Sequence, residues 1–128
     1  MFGSQNTKTL TVPYNYDPAA DDDLFVFKSP QTLEIVSASF TCNNTVAADA
    51  NNYFDVALYN GGTAGTATTA IAGTVGGTVG WSALTPRDFT ISNGTVTANQ
   101  IVYMRYNEHG TGTFGAGVLQ INYRLGTT

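Results

Sequence analysis

Nowhere along this chain do apolar residues hold a helical spacing. What recurs is short alternation, broken by turn residues at intervals of roughly ten positions. That pattern commits the backbone to strands. Lys8 to Tyr14 is threonine-rich with Leu10 and Val12 on one face, and Leu24 to Lys28 follows an acidic turn and is closed by Pro30. Within Thr32 to Cys42, Val36, Ala38, Phe40 and Cys42 share one side, whereas Leu33 and Ile35 lie in the opposite phase, which predicts a bulge near Ile35-Val36. Asn52 to Asn60 turns Phe54, Val56 and Leu58 to one side. Gln100 to Asn107 and Val118 to Leu125 read as further strands, with weaker ones around Thr66 to Ala72 and Asp88 to Ser92. Asp17-Pro18, Asn43-Asn44, Asn60-Gly61-Gly62, Asn93-Gly94 and the glycine-rich stretch Gly110 to Gly117 supply the turns. About eight strands so spaced predict an all-β chain, an antiparallel β-sandwich of jelly-roll-like form. Its expected core is Val36, Phe40, Phe54, Val56, Leu58, Ile101 or Val102, Leu119, Ile121 and Tyr123.

A length of 128 residues suits one domain. Met1 to Thr7 holds one aromatic, Phe2, among mostly small or polar groups that cannot fold alone, so residues 1–10 are expected to be a flexible arm and residues 11–128 a single sandwich. Gly61 to Gly80 is dominated by Gly, Thr and Ala and contains the near-repeat Gly73-Thr74-Val75-Gly76, Gly77-Thr78-Val79-Gly80. It is expected to be a long, mobile hairpin or loop.

Composition then excludes whole classes of function. Charged residues are 11 per cent of the chain, against an average of about 25 per cent. The five Lys and Arg are scattered and the net charge is −4, so no basic stripe exists to release counterions from a nucleic acid. Polybasic attachment to acidic lipid fails for the same reason. No uninterrupted apolar run approaches a membrane span, and the first residues lack the basic start and apolar stretch of a secretion signal.

Catalytic and metal chemistry finds little to work with. Gly110-Thr111-Gly112-Thr113-Phe114-Gly115 matches G-x-G-x-x-G, but a dinucleotide site needs the motif to open a helix, and here a strand is expected. His109 is the sole histidine, too few nitrogen ligands for a zinc site, and beside Glu108 and Gly110 it reads as an exposed loop residue. Cys42, the single cysteine, lies in phase with Phe40 and reads as a buried, inert thiol. Asp21-Asp22-Asp23, with Asp17 near, is the one candidate cation site, though adjacent aspartates point apart and a solvated turn explains them as well. Asn43-Asn44-Thr45 and Asn93-Gly94-Thr95 match the glycosylation sequon, a match common by chance in such a chain. Trp81 and the seven tyrosines could form a sugar-stacking platform, or serve as core and interface residues. No catalytic residue, cofactor or metal is assigned.

The order of elements resembles the small β-sandwich proteins of tailed-phage heads, the capsid decoration or cement proteins and head fibres. The residues that carry it are Leu24-Phe25-Val26-Phe27-Lys28-Ser29-Pro30, Leu33 to Phe40, Asn51 to Gly62, Trp81 leading to Pro86-Arg87-Asp88-Phe89-Thr90-Ile91, and Gly117 to Tyr123. The resemblance implies a jelly-roll-like protein on the capsid surface of a virion. It would bind the major capsid protein, stabilise the shell and oligomerise about a local symmetry axis, with no catalytic residues carried over. Low charge and surplus strand aromatics point the same way, to a homotrimer first and a dimer next. Phe2, Lys8 and Trp81 are the candidate capsid contacts. The competing expectation is a carbohydrate-binding, lectin-like or receptor-binding module.

Overall fold

The computed structural model describes residues 7–15, 21–112 and 115–126. Alternation turns one set of side chains inward on every long strand, and two antiparallel sheets close over them. The strands are β1 (Lys8–Tyr14), β2 (Asp22–Lys28), β3 (Leu33–Cys42), β4 (Tyr53–Asn60), β5 (Thr69–Gly76), β6 (Arg87–Asp88), β7 (Thr95–Val96), β8 (Ile101–His109) and β9 (Gly117–Leu125). One sheet runs β1-β9-β3-β6, with β7 also on β3; the other runs β2-β8-β4-β5. The pairings nest: β4 with β5, β3 with β6 and β7, β2 with β8, β1 with β9. Rolling that nested ribbon brings β3 against β9 and β4 against β8. This is the double Greek-key winding of a jelly roll.

The bulge in β3 is present. Register steps from Ile35↔Tyr123 to Ser37↔Asn122, so Val36 is the extra residue and the inward phase switches across it. Leu33 and Ile35 are therefore buried on one side of the bulge, and Ala38, Phe40 and Cys42 on the other. Val36, expected in the core, is only half-buried because it sits in the bulge itself. Tyr123 is half-buried too, packed on the rim of the core, and of the Ile101/Val102 pair it is Val102 that is enclosed. Phe40, Phe54, Val56, Leu58, Leu119 and Ile121 are buried as expected, joined by Ile71, Val96, Met104 and Tyr106. The Tyr106 hydroxyl donates to the Gly112 carbonyl at 2.8 Å, so its polar end is satisfied inside.

Two expectations need correction. Lys8, Thr9 and Leu10 belong to β1, so the arm cannot extend to residue 10; residues 1–6, Phe2 among them, lie outside the described residues. Within Gly61 to Gly80 the expected hairpin is present: β5 pairs with β4, and the turn before it is tied by Gly61 N–H to Ile101 C=O (2.7 Å), Ile101 N–H to Gly62 C=O (2.9 Å) and Ala67 N–H to Gly61 C=O (2.9 Å). Glycine here serves tight turns, with Gly62 and Gly65 at φ of 69° and 77°. The strand expected over Asp88 to Ser92 shrinks to the two residues of β6, and β7 was missed.

Val56 is fully enclosed between the sheets. Val56→Asp is expected to cost several kcal/mol, through lost apolar burial and an unpaired buried charge. Urea unfolding followed by circular dichroism checks this: the midpoint should fall sharply or the folded baseline disappear.

Candidate functional site

The outer faces of the two sheets differ in kind. On the first, register aligns Thr9, Asn122 and Ser37 in one row and Thr11, Gln120 and Ser39 in the next. Thr9 Oγ1 donates to Asn122 Oδ1, and Asn122 Nδ2 to Ser37 Oγ, both at 2.8 Å. These are short polar side chains satisfying one another.

The second sheet carries the aromatics and charges. Phe25, Tyr103 and Tyr59 align across β2, β8 and β4, with the Tyr59 and Tyr103 rings stacked at 5.5 Å. Arg105, one row along, lies 4.8 Å from the Tyr59 ring centre. Its Nε and Nη2 donate to both carboxylate oxygens of Asp23, at 2.8 and 3.2 Å, and this pairing raises the guanidinium's already high pKa. Burial pushes the Tyr103 hydroxyl's pKa up; that hydroxyl donates to Ala67 C=O at 3.0 Å. Farther along, Asn107 Nδ2 donates to Asp55 (3.2 Å), and His109 Nε2 lies 3.3 Å from Asp55 while its ring stacks on Tyr53 at 4.2 Å. His109 is thus at the exposed end of β8 rather than in a loop.

The aspartate run is spoken for in part. Asp23 is held by Arg105 and Asp21 accepts the Glu108 N–H at 2.9 Å. An open depression of about 470 Å³ is lined by Asp21, Asp22, Asp23, Arg105 and Asn107. Among the described residues no three His, Cys, Asp or Glu side chains are grouped to hold a metal ion. Gly110 and Gly112 shape the turn after β8, packed against Asn51, Asn52 and Tyr53, and the next described element is the strand β9 rather than a helix. Among the described residues no helix is long and apolar enough to cross a membrane.

At one end of the sandwich the loops 43–52 and 77–86 are stitched together. Val46 and Trp81 exchange backbone hydrogen bonds of 2.8 and 2.9 Å, Asp49 N–H reaches Thr78 C=O at 3.0 Å, and Ala83 N–H reaches Thr45 Oγ1 at 3.3 Å. Asp49 also accepts the N–H groups of Asn51 and Asn52 (2.8 and 3.0 Å), which hold its pKa below the usual carboxylate range. Gly80, at φ 73°, lies so close to the Val46 carbonyl that a Cβ there would collide with it. Trp81, expected at the contact surface, is instead 3 per cent exposed. It stacks on Phe54 at 5.3 Å and meets Phe40 edge-on at 5.6 Å, with the Arg87 guanidinium over its ring at 5.0 Å. Trp81 supports the loops from below.

What the loops present outward is aliphatic. Val79 and Leu84 are 66 and 73 per cent exposed, and with Phe25 at 62 per cent they are the large apolar side chains left in solvent among the described residues. Leu84 holds a φ of 57°, a left-handed conformation costing a bulky residue roughly 1–2 kcal/mol. Leu84 is the third residue of a turn closed by Thr85 N–H to Ser82 C=O at 3.3 Å, a position that takes a positive φ in a type II turn, and its own N–H donates to Cys42 C=O at 2.9 Å. Beside it lies a cleft of about 420 Å³ between the two loops, reaching down to Trp81 and Arg87. Lys8 is exposed at the start of β1, beside a different groove. Lys8 and Trp81 thus lie at different places in the fold, Phe2 lies outside the described residues, and the exposed Val79 and Leu84 were not singled out by the sequence.

No family model matches the chain, and no curated protein matches it. Among solved structures it is similar to a chain of "Structure of infectious bursal disease virus Gx strain", at 15 per cent identity and a TM-score of 0.38, over 97 per cent of this chain and 38 per cent of that one. The present chain thus spans well under half of that viral chain, and no functional inference rests on the likeness.

Burial pushes the Cys42 thiol up from 9.0 to about 12, partly opposed by Arg87. The unfolded thiol then loses its proton first, so stability is full below pH 9 and falls as pH rises from 9 toward 12. Native protein should resist iodoacetamide at pH 8 and react only once denatured, as mass spectrometry of the labelled chain will report.

Proposed function

We propose that the chain is a structural virion protein that binds the outer surface of a phage capsid and stabilises it as a decoration, or cement, protein. Its partner is the major capsid protein and its work is adhesive, without catalysis. The observation that carries this reading is Leu84: a large apolar side chain that adds nothing to the core, held outward by a strained backbone on a stitched loop platform. Stored strain at an exposed residue is the mark of a functional constraint. Val79, exposed on the same loop and lining the cleft, adds a second aliphatic side chain, and an apolar knob with a neighbouring cleft is the kind of surface that anchors protein contacts. Low overall charge keeps the desolvation cost of such a contact small.

One observation favours carbohydrate binding as a second reading. Phe25 stands exposed beside the depression of Asp21, Asp22, Asp23, Arg105 and Asn107, and an aromatic face flanked by carboxylate, amide and guanidinium groups is the chemistry that holds a sugar.

Leu84→Gly separates contact from fold, because glycine accepts the left-handed backbone. The variant should melt at or above the wild-type temperature. It should bind capsids stripped of this protein at least about tenfold more weakly, a loss of 1.4 kcal/mol or more. Unchanged occupancy by quantitative gel densitometry sinks the capsid reading at this surface. Retention on polysaccharide resin that Phe25→Ala abolishes and Leu84→Gly spares would establish the second.

A further inference from the structure

Each sheet ends in strands with one unpaired side, and an unpaired edge invites a second chain unless something blunts it. Most edges here are blunted. β2 carries Asp22, Asp23 and Lys28 and has a bulge between Phe25 and Phe27. β5 breaks register twice against β4, and Ala72 is bridged to Ile91. β6 and β7 are two residues each.

β1 has none of these devices. It keeps seven residues in unbroken register with β9, from Lys8↔Tyr123 to Tyr14↔Gly117. Its one charge, Lys8, lies at its first position. Among the described residues, no backbone group from Lys8 to Pro13 bonds to anything but β9. Proline fits a strand when its nitrogen faces away from the ladder. Pro13 therefore faces the open side, and the two-residue alternation puts the backbone groups of Thr9 and Thr11 on that side with it.

The sequence of this edge is symmetric in character. Thr9, Leu10, Thr11, Val12 and Pro13 read outward, inward, outward, inward, outward in either direction from Thr11. Such an edge complements a copy of itself.

We infer that β1 is a self-association site, at which a second copy of this chain adds its own β1 antiparallel about a two-fold axis through Thr11. The facing Thr11 residues exchange two backbone hydrogen bonds, and at each flank Thr9 N–H donates to the partner's Pro13 C=O. Leu10 comes opposite the partner's Val12. Both side chains are half-buried in the single chain, and the pairing covers them on the inner face of a sheet that now runs through both copies. Lys8 meets the partner's Tyr14, so no like charges oppose. An isologous edge closes on itself after two subunits, giving a dimer rather than the trimer expected from composition. This surface is distinct from the Leu84 loops, so it stands or falls independently of the capsid reading.

The paired strip is smaller than a standard interface, so association will be weak. Sedimentation equilibrium up to about 1 mM should show a reversible monomer–dimer equilibrium. Thr11→Pro removes the outward N–H at a position equivalent to Pro13 and leaves the β9 ladder intact; it should be monomeric over the same range with an unchanged β-type circular dichroism spectrum. If Thr11→Pro does not fold, Thr11→Lys sets two ammonium groups across the axis. Its dimer should be weakened at least about tenfold at low salt and partly restored by salt. A wild type that stays monomeric, a trimer, or a folded Thr11 variant with wild-type association overturns the inference.

Discussion

The insertion of β8 and β9 between strands from the first part of the chain holds this molecule together. β9 fills the slot between β1 and β3, and β8 the slot between β2 and β4. Until they arrive, each sheet is a pair of fragments with unpaired backbone on both sides and no lid over its apolar face. These pairings join residues as far apart as Lys8 and Tyr123, so their loop-closure entropy must be met before any reward, and folding will be slow and cooperative. The same insertion explains the edges. β9 has partners on both sides, which leaves β1 at the margin with β9 as its only strand neighbour among the described residues.

Much of this was legible as phase. The shift between Ile35 and Val36 located the β3 bulge, because a period of two cannot change sides without an extra residue. Phe54, Val56 and Leu58, and Leu119 and Ile121, were legible for the same reason. β5 was legible only as a weak strand around Thr66 to Ala72, because Thr, Ala and Gly around Ile71 carry little alternation, and pairing with β4 carries it on to Gly76. Trp81 was misplaced because its burial comes from Val46, Phe54 and Phe40, none of them near it in the chain. Leu84 had no signal at all. A leucine in Ala83-Leu84-Thr85-Pro86 gives no hint of a left-handed backbone, since glycine or asparagine is the residue that signals the third position of such a turn.

The few charges in the chain are spent close to home. Arg105 is held by Asp23 over a tyrosine pair, Arg87 caps Trp81 and donates to Gly80 C=O at 2.7 Å, and Arg124 lies 3.7 Å from Glu34. Exposed pairs of this kind add little to stability. Their effect is to leave the loop end around Leu84 and the β1 edge sparsely charged, with Asp49 in the one and Lys8 at the start of the other. A sparsely charged surface gives little long-range steering, so encounters there rely on shape and short-range contact.

On the capsid reading proposed above, modest affinity at both surfaces would suit a protein that has to stay dispersed before assembly. A strand edge that dimerised tightly would also recruit strands from folding intermediates, and a large apolar patch in place of two aliphatic knobs would aggregate. The two proposed surfaces would act separately rather than as one bivalent grip. Leu84 is bonded to Cys42, and Cys42 is aligned through Gly117 with Tyr14, so the loop platform lies at the Tyr14 end of β1. Antiparallel pairing about Thr11 sets the Tyr14 end of one copy beside the Lys8 end of the other. The two Leu84 ends of such a pair would point in opposite directions, and a single flat surface would meet one of them at a time.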